Sequence, residues 1–227
     1  MTKIELFQGD SLKLMKKMEA NSFDFAFTSP PYNRKRNDKY ELYDDTIDDY
    51  FSFLKEFTDE LLRITKGYTI INIQKNYYNK ADVFKYIGYY SEKIQEIIIW
   101  EKLNPMPASG CNITNAYEFF IVMGDKSLKA NHSYTKNHIS TSVNSKMPKI
   151  HKAVMKQEVS DWFIEEFTQP EDKVIDCFMG LGTTGISCKK FGRSFTGIEL
   201  NEPYYEIAKN SLLNQKEETC LNNNCNN

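Results

Sequence analysis

Apolar residues are distributed along this chain in short runs, separated by stretches that are polar or that repeat at helical spacing. Runs at residues 4–7, 23–27, 69–73, 97–100, 119–122, 174–177 and 195–198 have the length of buried strands and are bounded by turn residues. The intervening segments 11–18, 47–65, 80–90, 157–168, 183–191 and 203–213 read as helices, with Gly67 closing one and Pro203 opening another. Strands alternating with helices predict an α/β fold with a mostly parallel sheet of seven strands. Residues 97–122 break the alternation, because two strand candidates flank a polar stretch without a helix. One antiparallel strand is expected there. Residues 1–213 read as a single domain without internal repeats, and the asparagine-rich tail 214–227 is expected to be disordered.

Composition changes this picture little. At 227 residues and 41% hydrophobic content the chain can bury a core without covalent staples. No apolar stretch is long enough for a membrane span and no leader is evident, so a cytoplasmic protein is expected. The five cysteines are scattered, which favours reduced thiols over disulfides and argues against a metal site. The net charge is only −2, yet residues 126–157 carry seven lysines and all three histidines with no acid. Such a segment suits contact with phosphates.

Two peptides carry candidate chemistry. The first runs Asp176-Cys177-Phe178-Met179-Gly180-Leu181-Gly182-Thr183-Thr184-Gly185, from an apolar strand through closely spaced glycines into a helix. Glycines there permit positive φ and close approach of a ligand, and the helix N-terminus offers free amides. The following strand ends in Glu199, the layout in which a carboxylate meets a ribose. The second peptide is Thr28-Ser29-Pro30-Pro31-Tyr32-Asn33, which ends the strand at 23–27. Two prolines cannot continue strand pairing, so the chain turns stiffly at the sheet edge where ligands bind in open α/β folds. An aromatic amine is a poor nucleophile. The Ser29 hydroxyl and Pro30 carbonyl can accept its two hydrogens, and Tyr32 offers a ring for base stacking.

The first peptide resembles the D-P-F-x-G-x-G-T-T cofactor motif of DNA amino-methyltransferases, with Cys177 in place of the usual proline; the second resembles their [D/N/S]-P-P-[Y/F/W] motif. The order of the two is that of the family's β group. The resemblance implies a Rossmann-like S-adenosylmethionine-dependent methyltransferase fold, with Ser29, Pro30, Pro31 and Tyr32 as catalytic residues. It implies a cofactor site of Asp10, Thr28, His151, Asp176, Phe178, Gly180, Gly182, Thr183, Thr184 and Glu199. By the same resemblance, residues 99–102 and 115–118 flank the base pocket, and about 103–150 form a short target-recognition insertion. The expected partner is double-stranded DNA, with a companion restriction endonuclease as a further one. Arg34, Lys35 and Arg36 form either a loop over the DNA or cofactor or an ordinary solvated loop. Serine at position 29 resembles the cytosine-N4 enzymes more than the adenine-N6 ones, which stay as the alternative. A catalytically silent DNA-binding protein is the remote alternative; it is expected to have lost Pro30, Tyr32 or Gly182, and none is lost.

Overall fold

Each of the seven apolar runs becomes a strand in the computed structural model, which describes residues 2–34, 45–105, 113–124, 129–142 and 154–213. The elements in chain order are β1 (Ile4–Gln8), α1 (Ser11–Met15), β2 (Phe25–Thr28), α2 (Tyr50–Ile64), β3 (Thr69–Ile73), α3 (Lys80–Tyr89), β4 (Ile94–Lys102), β5 (Tyr117–Met123), β6 (His138–Thr141), α4 (Gln157–Phe167), β7 (Lys173–Asp176), α5 (Thr183–Phe191), β8 (Ser194–Glu199) and α6 (Glu202–Leu213). They build one sheet in the order β1-β8-β7-β2-β3-β5-β4-β6. Its only antiparallel strand among the described residues is β5, which runs against both β3 and β4.

The sheet has eight strands rather than seven. The extra one, β6, pairs in parallel with β4 at the sheet edge and buries only Thr141, whose hydroxyl accepts a hydrogen bond from the Trp100 indole at 2.9 Å. Its sequence His-Ile-Ser-Thr has no apolar alternation to announce it, so backbone pairing with β4 is what defines it. β2 begins at Phe25 and not Phe23, because Phe23 pairs with Thr65 at the end of α2.

Both faces of the sheet are covered, which is why the central strands β2, β3 and β7 are buried at every position but Lys173 and are mostly apolar. Alternate side chains divide between two cores. Ala26, Ile71, Ile121 and Ile175 face the side roofed by α1, α2 and α3, where Met15, Leu54, Phe57, Leu61 and Tyr86 pack. Phe25, Phe27, Ile70, Phe120 and Val174 face α4, α5 and α6, against Val159, Phe163, Cys188, Ala208 and Leu212. On that side Phe27 lies 4.8 Å from Phe163 between ring centroids, and Phe120 lies 4.3 Å from it.

This topology fixes where a ligand goes. β7 and β2 are neighbours and parallel, but β7 leads through α5 to β8 on one side while β2 leads through α2 to β3 on the other. The chain therefore parts above their C-terminal ends, leaving a crevice at the switch point.

Two glycines test the packing. A Cβ on Gly67 would lie 2.0 Å from the Asp24 carbonyl oxygen, a backbone atom that cannot retreat. Gly88, inside α3, has nothing within 4 Å of the same position. Gly67→Ala is expected to destabilise the fold by about 3 kcal/mol or more, whereas Gly88→Ala is expected to stabilise it by roughly 0.5–1 kcal/mol; thermal unfolding of the two variants checks both signs.

Candidate active site

The crevice is a cavity of about 720 Å³, within the range of small-molecule sites. Four strand ends surround it: Asp10 and Ser11 after β1, Glu199 to Glu202 after β8, Asp176 to Thr184 after β7, and Thr28 to Arg34 after β2. Val154 and Met155, before α4, complete the wall. Of the residues expected at the cofactor, all except Gly182 and His151 line this cavity. His151 lies outside the described residues.

Gly180 and Gly182 hold φ of 52° and 88°, left-handed values that a side chain rarely adopts. Gly182 caps α5 without a side-chain hydrogen bond, so first-turn amides stay available for a ligand. Gly185 serves a different purpose. A Cβ there would meet Leu212 at 2.7 Å and Phe195 at 2.8 Å, so this glycine lets α5 pack closely on β8 and α6.

Asp176 is buried and does not face a ligand freely. Its Oδ1 accepts from the Thr28 hydroxyl at 2.8 Å and the Phe178 amide at 3.1 Å, and its Oδ2 accepts from the Thr184 hydroxyl at 2.7 Å. One carboxylate thus joins the end of the catalytic strand to the first turn of the cofactor helix. Burial pushes its pKa up to about 6 against the pull of those donors, with the Glu199 charge adding to the rise.

Glu199 ends β8 and is held by the Gly180 amide at 2.9 Å and the Asn201 amide at 2.8 Å. Partial burial raises its pKa while the backbone donors oppose the shift. Each carboxylate oxygen keeps a lone pair for a ribose hydroxyl. Asp10 caps α1 by accepting the Lys13 amide at 2.8 Å. The Ser11 hydroxyl donates to the Cys177 carbonyl, tying α1 to the glycine loop at the position where proline is usual. Phe178 lies 5.0 Å from Phe57 and presents its ring to the cavity. A wall of this kind fits adenosine, with carboxylates for hydroxyls and amines, a ring for stacking and open amides.

The peptide Thr28-Ser29-Pro30-Pro31-Tyr32-Asn33 is held along its length. The Pro31 carbonyl accepts from the Tyr50 hydroxyl at 2.8 Å, and the Tyr32 carbonyl accepts from the side-chain amides of Asn76 and Asn79, each at 2.8 Å. Asn33 takes a φ of 49° and clasps Ile47 through both its N–H and its carbonyl. Among the described residues no group donates to the Pro30 carbonyl. The Ser29 hydroxyl donates to Asn72 Oδ1 at 3.1 Å, and the Tyr32 hydroxyl donates to the same oxygen at 2.6 Å. Asn72 is itself fixed by donating to the Phe119 carbonyl at 3.1 Å. Both hydroxyls are thereby drawn to Asn72, with the Tyr32 hydroxyl also 3.3 Å from Glu118 Oε2, and Ser29 keeps its lone pairs as acceptors. Burial, then the nearby Glu118 carboxylate, holds the Tyr32 hydroxyl well above its usual pKa, so it stays a donor. Glu118 in turn pairs with Lys102, both from the strand segments expected beside the base.

Asn72, Tyr50, Asn76 and Asn79 were not legible as site residues. The one signal was Asn72 itself, an amide within the buried strand Thr-Ile-Ile-Asn-Ile. Arg34 lies with its guanidinium 5.4 Å from the Tyr32 ring centroid and donates to Gln74 at 2.9 Å, while Lys35 and Arg36 fall outside the described residues. The acid-free segment acquires acids from elsewhere in the fold. His132 Nδ1 lies 2.6 Å from the buried Glu166 of α4, and His138 Nε2 lies 3.2 Å from Glu101 of β4. Lys126, Lys146, Lys149 and Lys152 are not among the described residues.

Comparison with known proteins agrees with this geometry. A family model described as a DNA methylase, of the N6 and N4 type, matches residues 23–210. The type II methyltransferase M2.DpnII of Streptococcus pneumoniae is 26% identical over 245 residues, covering 95% of this chain and 91% of its own. M.MwoI of Methanothermobacter wolfeii is 30% identical over 231 residues, covering 93% of this chain but 34% of its own length. Among solved structures, a PvuII DNA methyltransferase described as cytosine-N4-specific has a TM-score of 0.78 at 16% identity, covering 96% of this chain and 89% of that one. M1.HpyAVI in complex with S-adenosylmethionine has a TM-score of 0.69 at 23% identity, covering 92% and 99%. These two share the fold. With the family match spanning both motifs and the two motifs meeting in one cavity, the chain belongs to the DNA methylase family of S-adenosylmethionine-dependent DNA amino-methyltransferases.

Proposed function

We propose that this protein methylates the exocyclic amino nitrogen of a base extruded from double-stranded DNA, and that the base is cytosine, modified at N4. The observation that carries this reading is the Ser29 hydroxyl, which donates to Asn72 and so keeps its lone pairs as acceptors, on a residue that lines the cavity together with Pro30. These are two neutral acceptors for the two hydrogens of an amino group. Accepting both draws the nitrogen lone pair out of conjugation with the ring. Bound S-adenosylmethionine supplies an electrophilic methyl group there. The Tyr32 ring is the surface on which the extruded base stacks, worth about 1–3 kcal/mol by analogy with other stacking sites. Tyr50, Asn76 and Asn79 keep that surface in register with the acceptors by holding the Pro31 and Tyr32 carbonyls.

Cofactor residues on this reading are Asp10, Thr28, Phe178, Gly180, Gly182, Thr183, Thr184 and Glu199, organised around Asp176, with His151 added from the sequence resemblance. Residues 1–213 act as one domain, in which about 103–150 read the target sequence; the segment 214–227, expected to be disordered, lies outside the described residues. Lys129 and Lys136 of that segment are free of resolved acidic partners in sequence and suit phosphate contact. The naming of relatives as type II methyltransferases favours a restriction-modification setting with a companion endonuclease. Among the described residues no helix is long and apolar enough to cross a membrane, which accords with a cytoplasmic site of action.

Incubation of unmethylated DNA with the protein and S-adenosylmethionine, followed by mass spectrometry of the nucleosides, is expected to yield N4-methylcytosine. N6-methyladenine alone would transfer the proposal to the adenine reading, and no modified base on any DNA tested would refute the activity. Tyr32→Ala is expected to lower turnover by about five- to 150-fold, as loss of 1–3 kcal/mol of stacking implies, with cofactor affinity within twofold of wild type by titration calorimetry.

Asp176 sets a pH dependence. Its folded pKa of about 6 exceeds the unfolded value near 3.8, so the folded state binds the extra proton and stability from this group falls as pH rises between those values. Above about pH 6 the loss is complete. Asp176→Asn removes that term. The unfolding temperature of wild type minus that of the variant is expected to drop by on the order of 5 °C between pH 4 and pH 6.5 and then level off; a flat difference would show that the carboxyl is not held protonated.

A further inference from the structure

The turn between β3 and α3 carries a pair of rings that the fold leaves uncovered. Tyr77 is 79% exposed and Tyr78 is 53% exposed, and their rings meet edge to face with centroids 5.3 Å apart. The turn beneath them is braced without their side chains. Asn76 Oδ1 accepts the backbone amides of Tyr78 at 2.8 Å and Asn79 at 3.1 Å, and Asn79 Oδ1 accepts the Asn76 amide at 2.7 Å. The Lys75 carbonyl accepts from the Asn115 side chain at 2.7 Å. Two large rings thus stand in solvent on a fixed support, an exposure that does nothing for the core and marks a contact surface.

Its place in the fold selects the partner. β3 lies beside β2 and parallel to it, so the turn that follows β3 stands on the same sheet edge as Ser29 to Tyr32. The Asn76 and Asn79 side chains that brace the turn also donate to the Tyr32 carbonyl, so the two tyrosines sit between residues bonded to that peptide. The charge suits an anion. Residues 74–80 hold Lys75 and Lys80 and no acid, and Asp82, the first acid to follow, is partly buried. Among the described residues neither lysine forms an ion pair, and the Lys80 ammonium lies 5.3 Å from the Tyr77 ring centroid. Rings interleaved with cations fit nucleic acid, whose bases stack and whose phosphates carry the charge.

We propose that the Tyr77 ring covers the base left beside the gap when the target is extruded from the duplex, with Tyr78 propping it edge-on and Lys75 and Lys80 on the flanking phosphates. Extrusion leaves the neighbouring bases with an open face, and a ring supplied by the protein offsets the cost of that unstacking. Because the turn that presents Tyr77 is bonded to the peptide that carries Tyr32, the ring at the gap and the ring for the extruded base stand on one hydrogen-bonded support. This rests on the reading that a base is extruded from double-stranded DNA to reach Ser29 and Tyr32.

The test uses binding and not turnover. Fluorescence anisotropy with the full chain and S-adenosylhomocysteine compares two labelled duplexes of one sequence, one intact and one with a single abasic site, whose neighbours already have an open face. Wild type is expected to favour the abasic duplex by about five- to 150-fold, the span of base and aromatic stacking. Tyr77→Ala is expected to abolish that preference, and Tyr77→Phe, which keeps the ring, to retain it. The double variant Lys75→Gln, Lys80→Gln is expected to weaken both duplexes alike and to reduce the slope of log affinity against log salt by about two, one for each lost phosphate contact. Calorimetric affinity for S-adenosylhomocysteine is expected to be unchanged in every variant. A preference that survives Tyr77→Ala, or a salt slope unchanged in the lysine variant, would overturn the assignment. Equal affinities of wild type for the two duplexes would do so even if no variant folded. Wild type that bound neither duplex would instead overturn the DNA reading beneath it.

Discussion

The site depends on one buried carboxylate. Asp176 sits at the end of β7 and receives hydroxyls from Thr28, the last residue of β2, and from Thr184, in the first turn of α5. Remote in sequence, these groups belong to the two peptides whose chemistry must meet. A hydroxyl on each side of one carboxylate sets the distance between the catalytic turn and the glycine loop more rigidly than strand pairing alone, since β2 and β7 are paired only through Phe25 and Ala26. The carboxyl is costly to bury, and its raised pKa is the measure of that cost. What the fold gains is a fixed juxtaposition.

Around that joint the site is built from neutral hydrogen bonds. Asn72 takes two protons, from Ser29 and Tyr32, and its own amide is anchored to Phe119 on the antiparallel strand. The arrangement makes Ser29 an acceptor without ionising it. The end of the cavity at Ser29 and Tyr32 thus offers dipoles, with the Glu118–Lys102 ion pair behind them, while Asp10 and Glu199 line the wall elsewhere. Dipoles fixed in advance cost no reorganisation when the substrate arrives.

The basic segment shows how local composition can mislead. Read alone, residues 126–157 are a run of cations, but His132 and His138 find Glu166 and Glu101 from distant parts of the chain. Glu166 also accepts from Thr135, so the segment is fastened to α4 through Asn131, His132 and Thr135. Its surface charge is therefore carried by lysines more than by histidines. β6, within the same segment, extends the sheet by one strand through backbone pairing with β4, joined by side-chain bonds from Thr141 to Trp100 and from Ser140 to Glu101.

The sequence by itself determined the seven apolar strands, the six helices, the antiparallel exception and the two motifs, because these rest on local periodicity and on residues whose backbone demands are local: glycines at positive φ, and prolines that end a strand. It also placed Asp176, Glu199 and Ser29 at strand ends. Only the tertiary structure decided what those residues do. Asp176 joins β2 to α5 because Thr28 and Thr184 close on it from other elements. Asn72 holds both Ser29 and Tyr32 because of where the fold brings β3 beside the turn after β2. Hydrogen-bond satisfaction is a property of three-dimensional neighbours, and no spacing along the chain encodes it.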